Sequence, residues 1–188
     1  MIVIEGPDGA GKTTLIRRLS KQLQLPIHER SANSDSSPTL KTEGSRGANL
    51  AQWAFTDVTT MPDQPMSIYD RHCLISEYVY GPIVRSYLDP NMLSPTMHLA
   101  IRQLAKNSIV IFCRPPNAEI IKNTHHDVES GEVVGEHHTR IAYGYDALRM
   151  FWPGESMYYD YTHPNSFYNV LTACRIHIAR FNKEKKNG

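Results

Sequence analysis

Gly6-Pro7-Asp8-Gly9-Ala10-Gly11-Lys12-Thr13-Thr14 stands near the start of the chain, after Ile2-Val3-Ile4-Glu5 and before Leu15, Ile16, Leu19 and Leu23, which recur at helical spacing. The spacing is G-x-x-x-x-G-K-[ST], whose glycines let the backbone curl so that successive N–H groups point at a phosphate, with the positive end of the following helix behind them. Asp8, Gly9, Ala10, Gly11, Lys12, Thr13 and Thr14 are therefore the expected contacts to ATP. Lys12 reaches the β- and γ-phosphates, and the Thr13 hydroxyl is a ligand for Mg²⁺. A strand on one side and a helix on the other supply the context that separates this pattern from a chance match.

Beyond this P-loop, apolar runs of strand length alternate with segments of helical period, the pattern of a parallel sheet covered by helices. The expected fold class is α/β, a three-layer P-loop NTPase fold of about five parallel strands with a lid, in a single domain over 1–188. The strands are expected at Ile2–Glu5, Pro26–Glu29, Ser67–Tyr69, Ser108–Cys113 and Met157–Tyr161. Helices are expected after the P-loop, around 50–60, from Leu74 with a break near Gly81-Pro82, around Met97–Leu104 and from Asn117. Two more follow, one striped by Ile141, Tyr145, Leu148 and Trp152, and a last one by Phe167, Leu171, Cys174 and Ile178. Ser31–Gly47, rich in small polar residues, reads as a long loop of the kind that binds or closes over a ligand.

Asp70-Arg71-His72 follows the third strand, at the carboxyl edge where open α/β sheets bind ligands. There Asp70 is expected to organise Mg²⁺, and Arg71 to clamp a phosphate with its planar fork. Lys12, Asp70 and Arg71 form the expected catalytic set, with Thr13 and Asp70 as the metal pair. No Asn-Lys-x-Asp stretch that reads guanine occurs, which removes most support for a GTPase.

On the opening stretch through Thr14, and on Asp70-Arg71-His72 with Ser76 and Tyr80 after it, the chain resembles the thymidylate kinase family of nucleoside monophosphate kinases. The resemblance implies phosphoryl transfer from ATP to a deoxynucleoside monophosphate, with Arg71, His72, Ser76 and Tyr80 on the acceptor side. It also places Trp53 and Phe55 where the family has base-pocket residues, so that one of them, with Tyr80, is expected to stack on a nucleobase, the alternative for each being a place in the core. Deoxynucleoside kinases share the architecture but carry Glu-Arg-Ser where this chain has Asp70-Arg71-His72. The family's Arg-Glu-Pro-Gly-like segment corresponds here to His28-Glu29-Arg30-Ser31, without the Pro-Gly. Arg30 is the expected acceptor-phosphate arginine, and Glu29 is the general base in the alternative where a nucleoside hydroxyl is phosphorylated.

The resemblance further makes 122–140 the lid, poor in arginine, with Lys122, Arg140 and Arg114 as its cations. His125-His126 and His137-His138 lack the spacing of a tetrahedral metal site and suit phosphate contacts better. A non-catalytic ATP-binding regulatory module is the reading from another class, and a second site beside the phosphates argues against it. With 20 basic and 19 acidic residues, no global field attracts a nucleic-acid polymer. The expected partners are small-molecule nucleotides and, by the resemblance, a second copy of the chain. No apolar run approaches the length of a bilayer span and no export signal is visible, so no membrane partner and a cytoplasmic location are expected. Cys73, Cys113 and Cys174 read as reduced thiols, and Lys183-Glu184-Lys185-Lys186 as a solvated tail.

Overall fold

Ile2–Glu5 forms the central strand β1, with all four side chains buried, because a β-branched run suits a strand covered on both faces. In this computed structural model, residues 1–28, 58–60, 64–84, 94–124 and 137–187 are described. Four further strands join β1: β2 (Ile27–His28), β3 (Ile68–Asp70), β4 (Ile109–Cys113) and β5 (Glu155–Tyr159). Every pairing is parallel and the order is β2-β3-β1-β4-β5. Ile2 lies level with Ile68 on one side and Ile109 on the other, so the carboxyl ends of β1, β3 and β4 open onto one edge.

The helices are α1 (Lys12–Leu23), α2 (Cys73–Val84), α3 (Pro95–Asn107), α4 (Asn117–Thr124), α5 (His138–Met150) and α6 (Ser166–Asn187). Alternation of side chains along the strands divides the core in two. Val3, Tyr69, Val110 and Phe112 face one layer with Leu74, Val79, Leu104, Ile141 and Tyr145. Ile2, Ile4, Ile109 and Ile111 face the other, with Leu15 and Leu19 of α1 and Val170 and Cys174 of α6. Each fully buried isoleucine or leucine contributes about 2 kcal/mol by leaving water. Ser94 caps α3, accepting from the Met97 N–H at 3.3 Å, and Pro95 occupies the position where a missing N–H costs nothing.

Several expectations need correction. The break at Gly81-Pro82 does not occur, since α2 runs through Pro82 to Val84; the proline sits in the last turn and removes only one bond there. The last strand begins two residues earlier than expected, at Glu155, because β4 pairs it in register from Ile109 with Glu155 to Cys113 with Tyr159. Asp160 ends it by turning, its carboxylate accepting the Thr162 N–H at 2.9 Å. The basic tail is exposed as expected but not frayed, being helical to Asn187, with the Lys185 ammonium donating to the Gln64 carbonyl at 3.2 Å. The second strand is a short exposed edge, with His28 stacked on Tyr69 at 4.3 Å.

Of the helix expected at 50–60, residues 58–60 are described and helical. The 31–47 loop and most of the 122–140 segment lie outside the described residues. Cys113 and Cys174 are buried and all three cysteines are free thiols. Among the described residues no helix is long and apolar enough to cross a membrane.

Candidate functional site

The loop between β1 and α1 takes its shape from backbone that side chains disfavour. Gly9 and Gly11 lie at φ +75° and +82°, in the left-handed region that glycine adopts at no steric cost. They are also closely covered, since a Cβ on Gly9 would meet the Ile120 carbonyl oxygen at 2.7 Å and one on Gly11 the Tyr161 ring at 2.9 Å. Gly11 caps α1 with no side chain bonded to the helix's first N–H groups. The result is a tight glycine turn at the positive end of α1, too closely covered at Gly9 and Gly11 for side chains, and a helix N-terminus of this kind attracts anions.

Lys12 is buried beneath this loop, its ammonium donating to the Pro7 carbonyl at 2.6 Å and lying 3.7 Å from Asp8 Oδ1. Burial, then repulsion from Arg71, pulls Lys12 down to about 8 against the attraction of Asp8. A lysine that binds phosphate must be charged. The dissociation constant for MgATP is therefore expected to be level below pH 8 and to rise above it, approaching tenfold per unit, as calorimetric titrations from pH 7 to 9.5 would record. A flat profile across that range would contradict the assignment.

Asp70 ends β3 level with Ile4. Arg71 follows in a left-handed backbone, φ 66°, its N–H bonded to the Ile4 carbonyl at 3.0 Å. This turn sends the Arg71 side chain to the P-loop, where its guanidinium pairs with Asp8 and lies 5.2 Å from the Tyr80 ring centre. Tyr80 donates to the other Asp8 oxygen at 3.3 Å. Burial raises the Asp8 carboxyl, but Arg71 and Lys12 outweigh it and hold the group below its ordinary value. One carboxylate thus stands between two buried cations at the mouth of the cradle.

Glu5 is the residue that reading the sequence missed. It is wholly buried and accepts from the His72 N–H at 2.6 Å, from the Ser76 hydroxyl at 3.2 Å on both oxygens and from the Tyr145 hydroxyl at 3.0 Å. Burial pushes its carboxyl up, and the His72 N–H, Arg71, the Tyr145 hydroxyl and Lys12 only partly offset that. The available signal was an acidic residue closing an otherwise apolar central strand. Tyr145 was expected as core, which it is, but its hydroxyl serves this carboxylate.

His72, expected on the acceptor side, follows Arg71. It is buried, and its Nδ1 accepts the Leu74 N–H at 3.2 Å, capping α2 as an N-cap side chain does. Ser76 and Tyr80 sit on the same helix, turned to Glu5 and Asp8 respectively. Of the three expected lid cations, Arg114 is tied to Asp146 at 3.1 Å and to Asn117 at 2.8 Å, while Lys122 and Arg140 are exposed. Glu29, Arg30, Trp53 and Phe55 lie outside the described residues, as do His125 and His126. No cluster of three metal-ligating side chains occurs among the described residues. The hydroxyl of Thr13 and the carboxylate of Asp70 are hard oxygen donors, which fits Mg²⁺, an ion that keeps waters and takes most of its other ligands from phosphates.

No family model matches the sequence, and no curated protein does. Solved structures do match. The YorR protein of Bacillus subtilis, in complex with phosphorylated GDP, is similar at TM-score 0.65 and 18% identity over 97% of each chain. Deoxyadenosine kinase from M. mycoides, with dCMP and dCDP bound, is similar at 0.65 and 15% over 93% of this chain and 98% of that one. Shikimate kinase from Acinetobacter baumannii, in complex with shikimate, matches at 0.55 and 13% over 95% and 92%. These structures share the fold seen here, an α/β sheet of five parallel strands between helices with a P-loop after the first strand.

Proposed function

We propose that this chain transfers the γ-phosphoryl group of ATP to the 5′-phosphate of a deoxynucleoside monophosphate. The observation that carries this reading is the pair of buried cations, Lys12 and Arg71, gathered on Asp8 at the mouth of a glycine-lined anion cradle. A site that only stored ATP has no use for a second buried cation brought in from another strand. An enzyme that joins two phosphates must neutralise both.

In this reading the amides of Gly9 to Thr13 and the Lys12 ammonium hold the donor phosphates. Thr13 and Asp70 would hold Mg²⁺, which when bound neutralises charge developing on the transferring group. Arg71 exchanges Asp8 for the acceptor phosphate and aims it at the donor, with Arg30 as a second clamp. Tyr80, Trp53 and Phe55 form the acceptor pocket. Catalysis is positioning and charge neutralisation, because an acceptor phosphate is already ionised near neutral pH and no proton need be taken from it.

A second reading, phosphorylation of a deoxynucleoside 5′-hydroxyl, is favoured by one observation. Such an acceptor needs a base, and Glu5 is a carboxylate of raised basicity beside Lys12 and Arg71. Against it, Glu5 is wholly buried and accepts from three donors. Comparing deoxynucleosides with deoxynucleoside monophosphates, using wild type, Glu5→Gln and Glu29→Ala, separates the two. The monophosphate reading expects the larger kcat/KM on a monophosphate and less than a tenfold loss of kcat in either variant. Turnover on a nucleoside alone, lost in one of the variants, would replace it with the second reading.

A further inference from the structure

Asn123, in the last turn of α4, has an exposed side chain, yet its amide nitrogen makes two bonds of 2.9 Å, one to the Gly9 carbonyl and one to the Tyr161 hydroxyl. An amide –NH₂ carries two protons, so both bonds form at once. Tyr161 passes its own proton to Glu119 Oε2 at 3.3 Å, which leaves its lone pairs for Asn123. The relay therefore has one direction, from amide to phenol to carboxylate, and it links three elements: the P-loop, α4, and the segment between β5 and α6.

Its consequence falls on the peptide between Gly9 and Ala10. That unit is planar and trans, so its C=O and N–H point opposite ways. Holding the Gly9 carbonyl outward on Asn123 turns the Ala10 N–H into the loop, where it meets the Pro7 carbonyl at 3.3 Å, the same oxygen that receives the Lys12 ammonium. Packing reinforces the constraint, since the Ile120 carbonyl and the Thr124 methyl leave no room for a Cβ on Gly9, and the Tyr161 ring lies on Gly11.

We infer that Asn123 is a positioning residue for the donor phosphates, a latch that with Tyr161 and Glu119 preorganises the Gly9–Ala10 amide for a triphosphate. The inference rests on the phosphoryl-transfer reading, but only on its donor half. The latch does not touch the acceptor side, where Arg71, Ser76 and Tyr80 lie. Its loss should therefore appear in donor affinity and not in acceptor affinity.

The test is calorimetric binding of MgATP, and separately of a deoxynucleoside monophosphate, to wild type, Asn123→Ala, Tyr161→Phe and the double variant, with steady-state kinetics and thermal unfolding alongside. Asn123→Ala is expected to raise the MgATP dissociation constant and KM about tenfold, the effect of losing one well-made bond to the loop and its preorganisation. Its kcat at saturating ATP should stay within about threefold, and its acceptor affinity and melting temperature should hold. Tyr161→Phe should weaken MgATP by a smaller factor, about threefold. The double variant should fall no further than Asn123→Ala, because both changes cut one relay. MgATP binding by wild type with Asn123→Ala within twofold of it overturns the latch alone, as do additive losses in the double variant. Failure of wild type to bind MgATP overturns the phosphoryl-transfer reading and the latch with it.

Discussion

Lys12→Ala is expected to lower turnover at saturating ATP by about a thousandfold, the scale on which one preorganised charge at a transferring phosphoryl group acts. The ammonium is buried and held against the loop, 3.7 Å from Asp8 and 2.6 Å from the Pro7 carbonyl. The fold should survive the change. Removing the ammonium removes a group whose burial is itself costly, and Asp8 keeps Arg71 and Tyr80 as partners. Rates of ADP release measured beside thermal unfolding would show a large kinetic loss with a small shift in melting temperature. A loss below tenfold would take Lys12 out of the proposed machinery. Lys12→Arg should restore little, because a planar guanidinium does not fit a point-charge site under the loop.

Glu5→Ala should cost about 3 kcal/mol of stability or more, since three buried donors lose their shared acceptor at about 1–3 kcal/mol each. The His72 N–H, the Ser76 hydroxyl and the Tyr145 hydroxyl come from the β3–α2 junction, α2 and α5, so one carboxylate joins the central strand to two helices and the turn that delivers Arg71. Its raised affinity for a proton also sets a sign. A carboxyl that is harder to ionise folded than unfolded contributes stability fully below its unfolded value, and that contribution is lost as the pH rises through its folded value. Wild type should therefore lose stability relative to Glu5→Gln as the pH climbs from the ordinary carboxylate range toward neutrality. Chemical denaturation of wild type, Glu5→Ala and Glu5→Gln at several pH values measures both effects. Equal stability of Glu5→Ala and wild type would show that the network holds nothing.

Much of this architecture could be read before the structure was seen, and the reason is periodicity. Ile2-Val3-Ile4 and Ile109-Val110-Ile111-Phe112 are apolar throughout because both faces of those strands are covered, and Leu15, Ile16 and Leu19 mark the buried stripe of α1. What periodicity does not carry is register. The last strand begins at Glu155 because β4 pairs it there, and no local feature of Glu155-Ser156 announces that. Pro82 looked like a helix breaker, but the helix runs through it to Val84 and gives up only the one backbone bond that the missing N–H would have made.

The site was legible in the same uneven way. A motif with fixed spacing, such as Gly6 to Thr13, carries its geometry with it. Asp70-Arg71-His72 announced a functional corner but not how its members divide, with Arg71 turned to the P-loop while His72 caps α2. Glu5, Tyr145, Asn123 and Tyr161 act through contacts across long stretches of chain, such as the bond from Asn123 to Gly9, and such pairs leave no mark at short range.

The most direct test of the account follows the phosphoryl group itself. The protein is incubated with ATP labelled on the γ-phosphate, Mg²⁺ and each common deoxynucleoside monophosphate in turn, and the products are separated. The account predicts label in a deoxynucleoside diphosphate, formed in step with ADP and abolished by Lys12→Ala. ADP release that no monophosphate or nucleoside raises above the acceptor-free background would contradict it.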